Sequence, residues 1–174
     1  ALADFLAMRA AQGGLPGQTL AYVGDGNNVA HSLMLCGALL GVNVRIGCPE
    51  GFEPLPGVLD QARSIATAGA SIDVTHDPAA AVAGAQAVYT DVWASMGQEQ
   101  EQAEREQAFS GFCVDRALMD QAAPDAIVLH CLPAHRGEEI SAEVMESSAS
   151  RIFDQAENRI HAQQALLAAL MGGL

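Results

Sequence analysis

Reactive side chains are concentrated in one short segment, HCLPAHRGEEIS at residues 130–141. It holds a thiol, two imidazoles and a guanidinium within seven positions, directly after the apolar run AIVL. Polar groups at the carboxyl end of a buried strand point to a binding site, because α/β sheets bind ligands at that edge. With His130, His135 and Arg136 nearby, we expect the Cys131 thiol to ionise more readily than a free cysteine.

The spacing of these groups disfavours two common kinds of cysteine site. Adjacent side chains of a strand point to opposite faces, so His130 and Cys131 cannot form a direct base–nucleophile pair. The five histidines and four cysteines show no zinc-finger, ribbon or HExxH spacing, so we expect no metal site. Leu132 followed by Pro133 predicts a restricted turn, with a cis peptide bond as one option.

A second motif, GDGNNVAHS at residues 24–32, follows an apolar run that predicts the first strand. A dinucleotide fingerprint would need a glycine where Val29 stands and an acidic residue ending the second strand, where the chain reads GCPEG. A nicotinamide site is therefore disfavoured. Asn27 and Asn28 lie at a helix N-terminus, which favours a small carboxylate. The alternative is that Asn27 is only the N-cap and Asn28 its neighbour.

A third motif, YTDVWASMG at residues 89–97, follows another apolar strand. Asp91 ends that strand, with Ser95 and Met96 in the loop beyond, and a carboxylate beside a hydroxyl suits an ammonium group. Alternatively, Asp91 caps the loop and Trp93 simply packs. Residues 92–112 form an unusually long connection, with Gly97 as a candidate hinge and an acidic helix behind it.

The elements that position these motifs alternate between strand and helix. Strands are predicted at 19–24, 42–48, 71–76, 85–91 and 125–131, and helices at 28–41, 58–68 and 78–84. Strands separated by helices indicate βαβ units, because a parallel connection needs a crossover. We therefore predict an α/β fold, a doubly wound (Rossmann-like) parallel sheet of about five strands in three αβα layers, with the three motifs at one edge.

The amino-acid composition excludes several classes of partner and enzyme. A chain of 174 residues fits one domain, and a net charge of −13 without a basic cluster argues against nucleic acid and membrane partners. The chain has no lysine, which excludes a Schiff-base lysine and the lysine of a P-loop. Scattered cysteines, without a signal peptide or a long apolar run, predict a cytoplasmic protein with reduced thiols.

Four motifs together resemble the ornithine-binding domain of the ornithine carbamoyltransferase family: GDGNNVAHSLM, DVWASMGQE, HCLPAHRGEEI and AENRIHAQQALL. SMG followed by HCLP distinguishes ornithine enzymes from related transcarbamoylases. The resemblance covers essentially the whole chain. It implies that the side-chain amine of L-ornithine attacks carbamoyl phosphate, giving citrulline and phosphate without a cofactor.

The resemblance also implies which residues would hold ornithine. Asn28 would bind the carboxylate of the amino acid. Asp91, Ser95 and the backbone of Met96 would hold its amino-acid head group.

Other positions would face carbamoyl phosphate and the reacting amine. Cys131 would lie beside the amine and help its deprotonation, and the backbone at Cys131 and Leu132 would face the carbamoyl group. Arg159 would reach carbamoyl phosphate. Asn27 is a possible supporting residue; His130 is another, with a purely structural strand-end role as its alternative.

A second domain is implied as well. The carbamoyl-phosphate domain of the family, with its S-x-R-T-R and HPxQ segments, would precede Ala1. The opening ALADFLAMRAAQGG starts in mid-helical pattern, and residues 1–14 and 157–174 are predicted interdomain helices. Their apolar residues should be exposed; these are Leu2, Phe5, Leu6, Ile160, Leu166, Leu167 and Leu170.

The resemblance also sets expectations for activity and assembly. This chain alone should be inactive, and the full enzyme should be a homotrimer or a multiple of one. Putrescine or an N-acylornithine as acceptor, and a non-catalytic amino-acid-binding module, remain alternatives.

Overall fold

A computed structural model describes residues 1–94 and 102–172 of the chain. Its centre is one all-parallel sheet with strand order β3-β2-β1-β4-β5. The strands are β1 (Thr19–Val23), β2 (Asn43–Gly47), β3 (Ile72–Thr75), β4 (Ala87–Thr90) and β5 (Ile127–His130). The predicted five-stranded α/β sheet is confirmed, and each strand lies within its predicted range.

Eight helices connect and cover the strands within the described residues. They are α1 (Leu2–Gln12), α2 (Asn28–Leu40), α3 (Pro56–Ile65), α4 (Pro78–Val82), α5 (Gln102–Ala108), α6 (Arg116–Met119), α7 (Ala142–Met145) and α8 (Ile152–Leu170). The four-residue helices α6 and α7 were not predicted, because one turn carries no apolar periodicity. Their signal is the cap: Asp115 and Ser141 each accept a hydrogen bond from a backbone N–H three residues on.

The sheet separates two apolar cores, which makes the three αβα layers. Leu20 and Tyr22 of β1 point to the side covered by α1, α2 and α3. Ala21 and Val23 point to the other side, against α4, α5, α6 and α7. Because both faces are covered, every residue of β1 is buried, and the strand is a continuous apolar run rather than an alternating one.

The direction of the connections reverses at β1, since β2 and β3 lie on one side of it and β4 and β5 on the other. Such a reversal opens a crevice at the carboxyl ends of the two strands that flank it. The turn after β1 approaches another segment closely, because a Cβ at Gly26 would lie 2.3 Å from the nitrogen of Pro54. A glycine is required there for steric reasons.

The terminal helices differ in what they expose. On α8, the predicted exposure of apolar residues is confirmed, since Ile160, Leu167 and Leu170 are 59%, 58% and 76% exposed. Phe5 of α1 is only 2% exposed and lies in the core beside the sheet, so its predicted exposure is wrong. Among the described residues, no helix has the combination of length and apolarity needed to cross a membrane.

Candidate functional site

A cavity of about 480 Å³ opens at the carboxyl ends of β4 and β5. Its walls come from the start of α1, the first turn of α2 and the middle of α8. Four residues predicted for the site line it: Asn28, His130, Cys131 and Arg159. The fold therefore brings together residues that lie up to 131 positions apart in the sequence.

Asp91 and Cys131 are bonded directly to each other beside this cavity. The Cys131 thiol donates a hydrogen bond to Asp91 Oδ1 at 2.8 Å, and the backbone N–H of Val92 donates to the same oxygen at 2.8 Å. Asp91 is 7% exposed. Burial raises the pKa of the Cys131 thiol well above its usual value, and the charge and hydrogen bond of Asp91 raise it further.

The prediction that Cys131 ionises readily is therefore wrong, because the expected positive groups are directed elsewhere. The Arg136 guanidinium bonds Glu146 at 2.6 Å. His135 is exposed, and its Nδ1 lies 3.7 Å from a carboxylate oxygen of Glu138 and 4.0 Å from one of Glu139. The charged partner that the fold gives Cys131 is the Asp91 carboxylate.

His130 points away from Cys131 and holds the loop that follows the strand. Its Nδ1 accepts a hydrogen bond from the backbone N–H of Leu132 at 2.8 Å, so the ring proton resides on Nε2. Nε2 then donates to Glu139 Oε1 at 3.1 Å, and neither side chain is exposed. This agrees with the structural alternative for His130. Leu132 has a positive φ of 58°, and its peptide bond to Pro133 is cis.

Asn27 and Asn28 have different positions at the start of α2. Asn27 Oδ1 accepts from the backbone N–H groups of Val29 and Ala30, so Asn27 is the N-cap. Its amide also donates to Asp91 Oδ2 at 3.4 Å, which links the cap to the site. Asn28 is exposed and lines the cavity at the helix N-terminus, where the partial positive charge favours an anion.

A buried glutamine connects α8 to the sheet. Gln155 Oε1 accepts from the backbone N–H of His130 at 2.8 Å, and its amide donates to Asp4 at 2.8 Å and to the Tyr89 hydroxyl at 3.2 Å. This residue was not predicted. Arg159 lines the cavity one helical turn further along α8. The bonds of Gln155 to the sheet therefore also fix the position of Arg159 relative to the cavity.

Arg105 of α5 is a second unpredicted residue near the site. It is 8% exposed, and its Nη1 donates to Asp25 Oδ2 at 2.6 Å and to the carbonyl of Trp93 at 2.8 Å. Its guanidinium also lies 5.1 Å from the centre of the Phe52 ring. In the sequence, Arg105 could have been recognised as a single basic residue within a predicted acidic helix. Arg105 joins α5 to the turn after β1 and to the chain just after Asp91.

Two further positions predicted for ornithine, Ser95 and Met96, lie outside the described residues, as does the candidate hinge Gly97. Leu132, predicted to face the carbamoyl group, directly follows Cys131.

Comparisons with known proteins agree on one family. Residues 16–170 match the family described as "Aspartate/ornithine carbamoyltransferase, Asp/Orn binding domain". An ornithine carbamoyltransferase of Parasynechococcus marenigrum is 84% identical over 99% of this chain, and one of Prochlorococcus marinus (strain MIT 9313) is 74% identical over all of it. These matches cover 54% and 55% of the two relatives, so the chain spans about half of their length.

Solved structures give the same result. The ornithine carbamoyltransferase from Pyrococcus furiosus superposes with a TM-score of 0.93 at 50% identity, over 99% of this chain and 55% of that one. The enzyme from Gloeobacter violaceus superposes with a TM-score of 0.90 at 52% identity, over 97% of this chain and 56% of that one.

The burial of Arg105 yields a stability prediction. Arg105→Met should lower the free energy of unfolding by about 3 kcal/mol, because it leaves the Asp25 carboxylate, whose side chain is only 14% exposed, without this partner. The matched control is Arg116→Met, whose pair with Asp120 is 65% and 60% exposed and should cost under about 1 kcal/mol. Urea unfolding measures both, and equal losses would contradict a structural role for the buried pair.

The raised pKa of Cys131 yields a reactivity prediction. Asp91→Asn removes the negative charge beside the thiol and so lowers its pKa. Alkylation of Cys131 by iodoacetamide at pH 8.5 should then become roughly tenfold faster for each pH unit by which the pKa falls. Cys113, whose pKa is raised by burial and by other carboxylates, is the internal control. Peptide mass spectrometry follows both, and an unchanged or slower rate at Cys131 would refute the coupling.

Proposed function

The chain belongs to the aspartate/ornithine carbamoyltransferase family, and from this we propose that it is the ornithine-binding half of an ornithine carbamoyltransferase. The complete enzyme would transfer the carbamoyl group of carbamoyl phosphate to the side-chain amine of L-ornithine. The observation that carries the proposal is the Asp91–Cys131 pair beside a cavity whose rim holds Asn28 and Arg159. This arrangement offers separate partners for an ammonium, a carboxylate and a phosphate.

The reaction requires an uncharged amine, because an ammonium has no lone pair. As the amine nitrogen forms its bond to the carbamoyl carbon, the bond from that carbon to the phosphate oxygen breaks and one amine proton must leave. Cys131 already donates its proton toward Asp91, so the thiol can pass that proton to the carboxylate while accepting one from the amine. The pair then acts as a relay that needs no free thiolate, which fits the raised pKa of Cys131.

The other assignments keep the roles implied by the resemblance. Asn28, exposed at the N-terminus of α2, would bind the carboxylate of ornithine, and Ser95 with Met96 would complete the head-group site. Arg159 and the Leu132 backbone would face carbamoyl phosphate. Every group in this scheme is a side chain or backbone of the protein, so the scheme uses no cofactor.

Carbamoyl phosphate would be held mainly by a second, N-terminal domain. Two observations support this proposal. The chain spans only about half the length of its relatives, and the apolar face of α8 is exposed. We propose that Ile160, Leu167 and Leu170 pack against that domain or its connection. For the complete enzyme we further propose a homotrimer or a multiple of one, acting in the cytoplasm in arginine biosynthesis. The free cysteines of the chain suit a reducing compartment.

The activity can be tested with the complete enzyme. It should form citrulline from L-ornithine and carbamoyl phosphate, and it should act at least about 100-fold less efficiently on putrescine, which lacks the carboxylate that Asn28 would bind. The 174-residue chain alone should give no measurable citrulline. Preference for putrescine or N-acetylornithine would select an alternative acceptor, and turnover by the chain alone would contradict the two-domain proposal.

The acceptor site has a test of its own. In the complete enzyme, Asp91→Asn should raise KM for ornithine by roughly ten- to a hundredfold, since a charge-assisted hydrogen bond contributes about 1.5–3 kcal/mol. KM for carbamoyl phosphate should stay nearly unchanged. Asp73→Asn, at an exposed carboxylate of β3, is the matched control. Steady-state kinetics with each substrate varied in turn measure the two KM values. An equal rise in both would mean that Asp91 has a structural role.

A further inference from the structure

The loop after β5 contains a second group of polar side chains, separate from the cavity. It consists of His135, Glu138 and Glu139, each of which offers one nitrogen or oxygen ligand atom. These three atoms lie within 4.8 Å of one another. Such a cluster at a surface is common and by itself indicates no ligand.

The buried carboxylate of Glu139 distinguishes this cluster from ordinary surface charges. Its side chain has no exposure. Oε1 accepts from His130 Nε2 at 3.1 Å and from the backbone N–H of His135 at 2.6 Å. Oε2 is equally buried and has no hydrogen-bond partner among the described residues. A buried, unsatisfied carboxylate oxygen is costly and calls for a positive partner.

The unpartnered oxygen faces the imidazole of His135. The distance from His135 Nδ1 to Glu139 Oε2 is 4.0 Å, and that from Nδ1 to Glu138 Oε2 is 3.7 Å. Both separations are too long for hydrogen bonds. They leave room between the three atoms for a small cation, and the half-exposed side chains of His135 and Glu138 give it access.

We propose that His135, Glu138 and Glu139 form a binding site for a divalent first-row transition-metal ion such as Zn²⁺. One imidazole nitrogen and two carboxylate oxygens are a suitable ligand set for such an ion, with water completing the coordination. Two ligands at about 2.0–2.2 Å from one zinc ion can be no more than about 4.4 Å apart. The cluster therefore closes around the ion by small rotations of His135 and Glu138.

The charges support this assignment. Two glutamates supply two negative charges, which a dication neutralises, and the ion gives the buried Oε2 the partner that it lacks. The proposal differs from the expectation from sequence that the chain has no metal site. That expectation relied on known spacing templates, whereas the H-x-x-E-E run becomes a ligand set because the loop buries Glu139 against His130.

The ion would also fix the segment that carries Cys131. Glu139 bonds His130, and His130 bonds the backbone of Leu132. Closing the cluster therefore tightens the whole loop from residue 130 to 139, so the thermal stability of the chain should increase with zinc.

Isothermal titration of the metal-free chain with ZnCl₂ tests the proposal. We expect one site per chain, weakened at least about tenfold by Glu138→Gln and more by His135→Ala. His76→Ala is the matched control, because His76 is an exposed histidine that faces a single carboxylate, Glu53, at 3.6 Å. Cys131→Ser controls for a thiol site. Neither control should change the affinity, and far-UV circular dichroism should show that each variant is folded.

A second measurement does not depend on variants of the buried residue. With Co²⁺ in place of Zn²⁺, a site of nitrogen and oxygen ligands gives weak visible bands without the strong near-ultraviolet thiolate band. Absence of binding at millimolar zinc, unchanged affinity in His135→Ala, or loss of binding in Cys131→Ser with a thiolate band from cobalt would each overturn the proposal.

Discussion

The register between β4 and β5 places Asp91 beside Cys131. Thr90 pairs with His130 at the carboxyl ends of these parallel strands, so the next residue of each strand leaves the sheet at the same level. The 2.8 Å bond between thiol and carboxylate follows from that register. A shift of β5 by one residue would turn the Cys131 side chain to the opposite face of the sheet, away from Asp91. The site therefore depends on strand pairing more than on any loop.

The Asp91 carboxylate in turn dominates the electrostatics of the site. It raises the pKa of the Cys131 thiol and, after burial, is the largest influence that raises the pKa of the Tyr22 hydroxyl. A buried negative charge surrounded by neutral donors attracts a cation. The same property suits both of the roles proposed for Asp91, which are holding the ammonium of the amino-acid head group and receiving, through Cys131, a proton from the side-chain amine.

Buried polar side chains fix the segments around this pair. His130 and Glu139 hold the loop after β5, Gln155 ties α8 to the sheet, and Arg105 joins α5 to the turn after β1. Each of them bonds backbone groups as well as side chains. Loops held in this way keep a defined geometry.

The sequence alone determined most of the elements, all but the short helices α6 and α7, because helix and strand patterns depend on neighbours a few positions apart. The five strands and the positions of Asn28, Asp91 and Cys131 at one edge of the sheet were predictable in this way. The N-cap at Asn27 was one of two alternatives, and Arg159 was implied only by the family resemblance. Ionisation and burial were not predictable. The raised pKa of Cys131, the burial of Phe5 and the roles of Arg105 and Gln155 depend on partners far along the chain. Arg105 bonds Asp25 across 80 positions, and Gln155 bonds Asp4 across 151. Patterns within a few positions of the sequence carry no information on such distant contacts. Only the tertiary structure therefore places a carboxylate beside the Cys131 thiol and buries the carboxylate of Glu139.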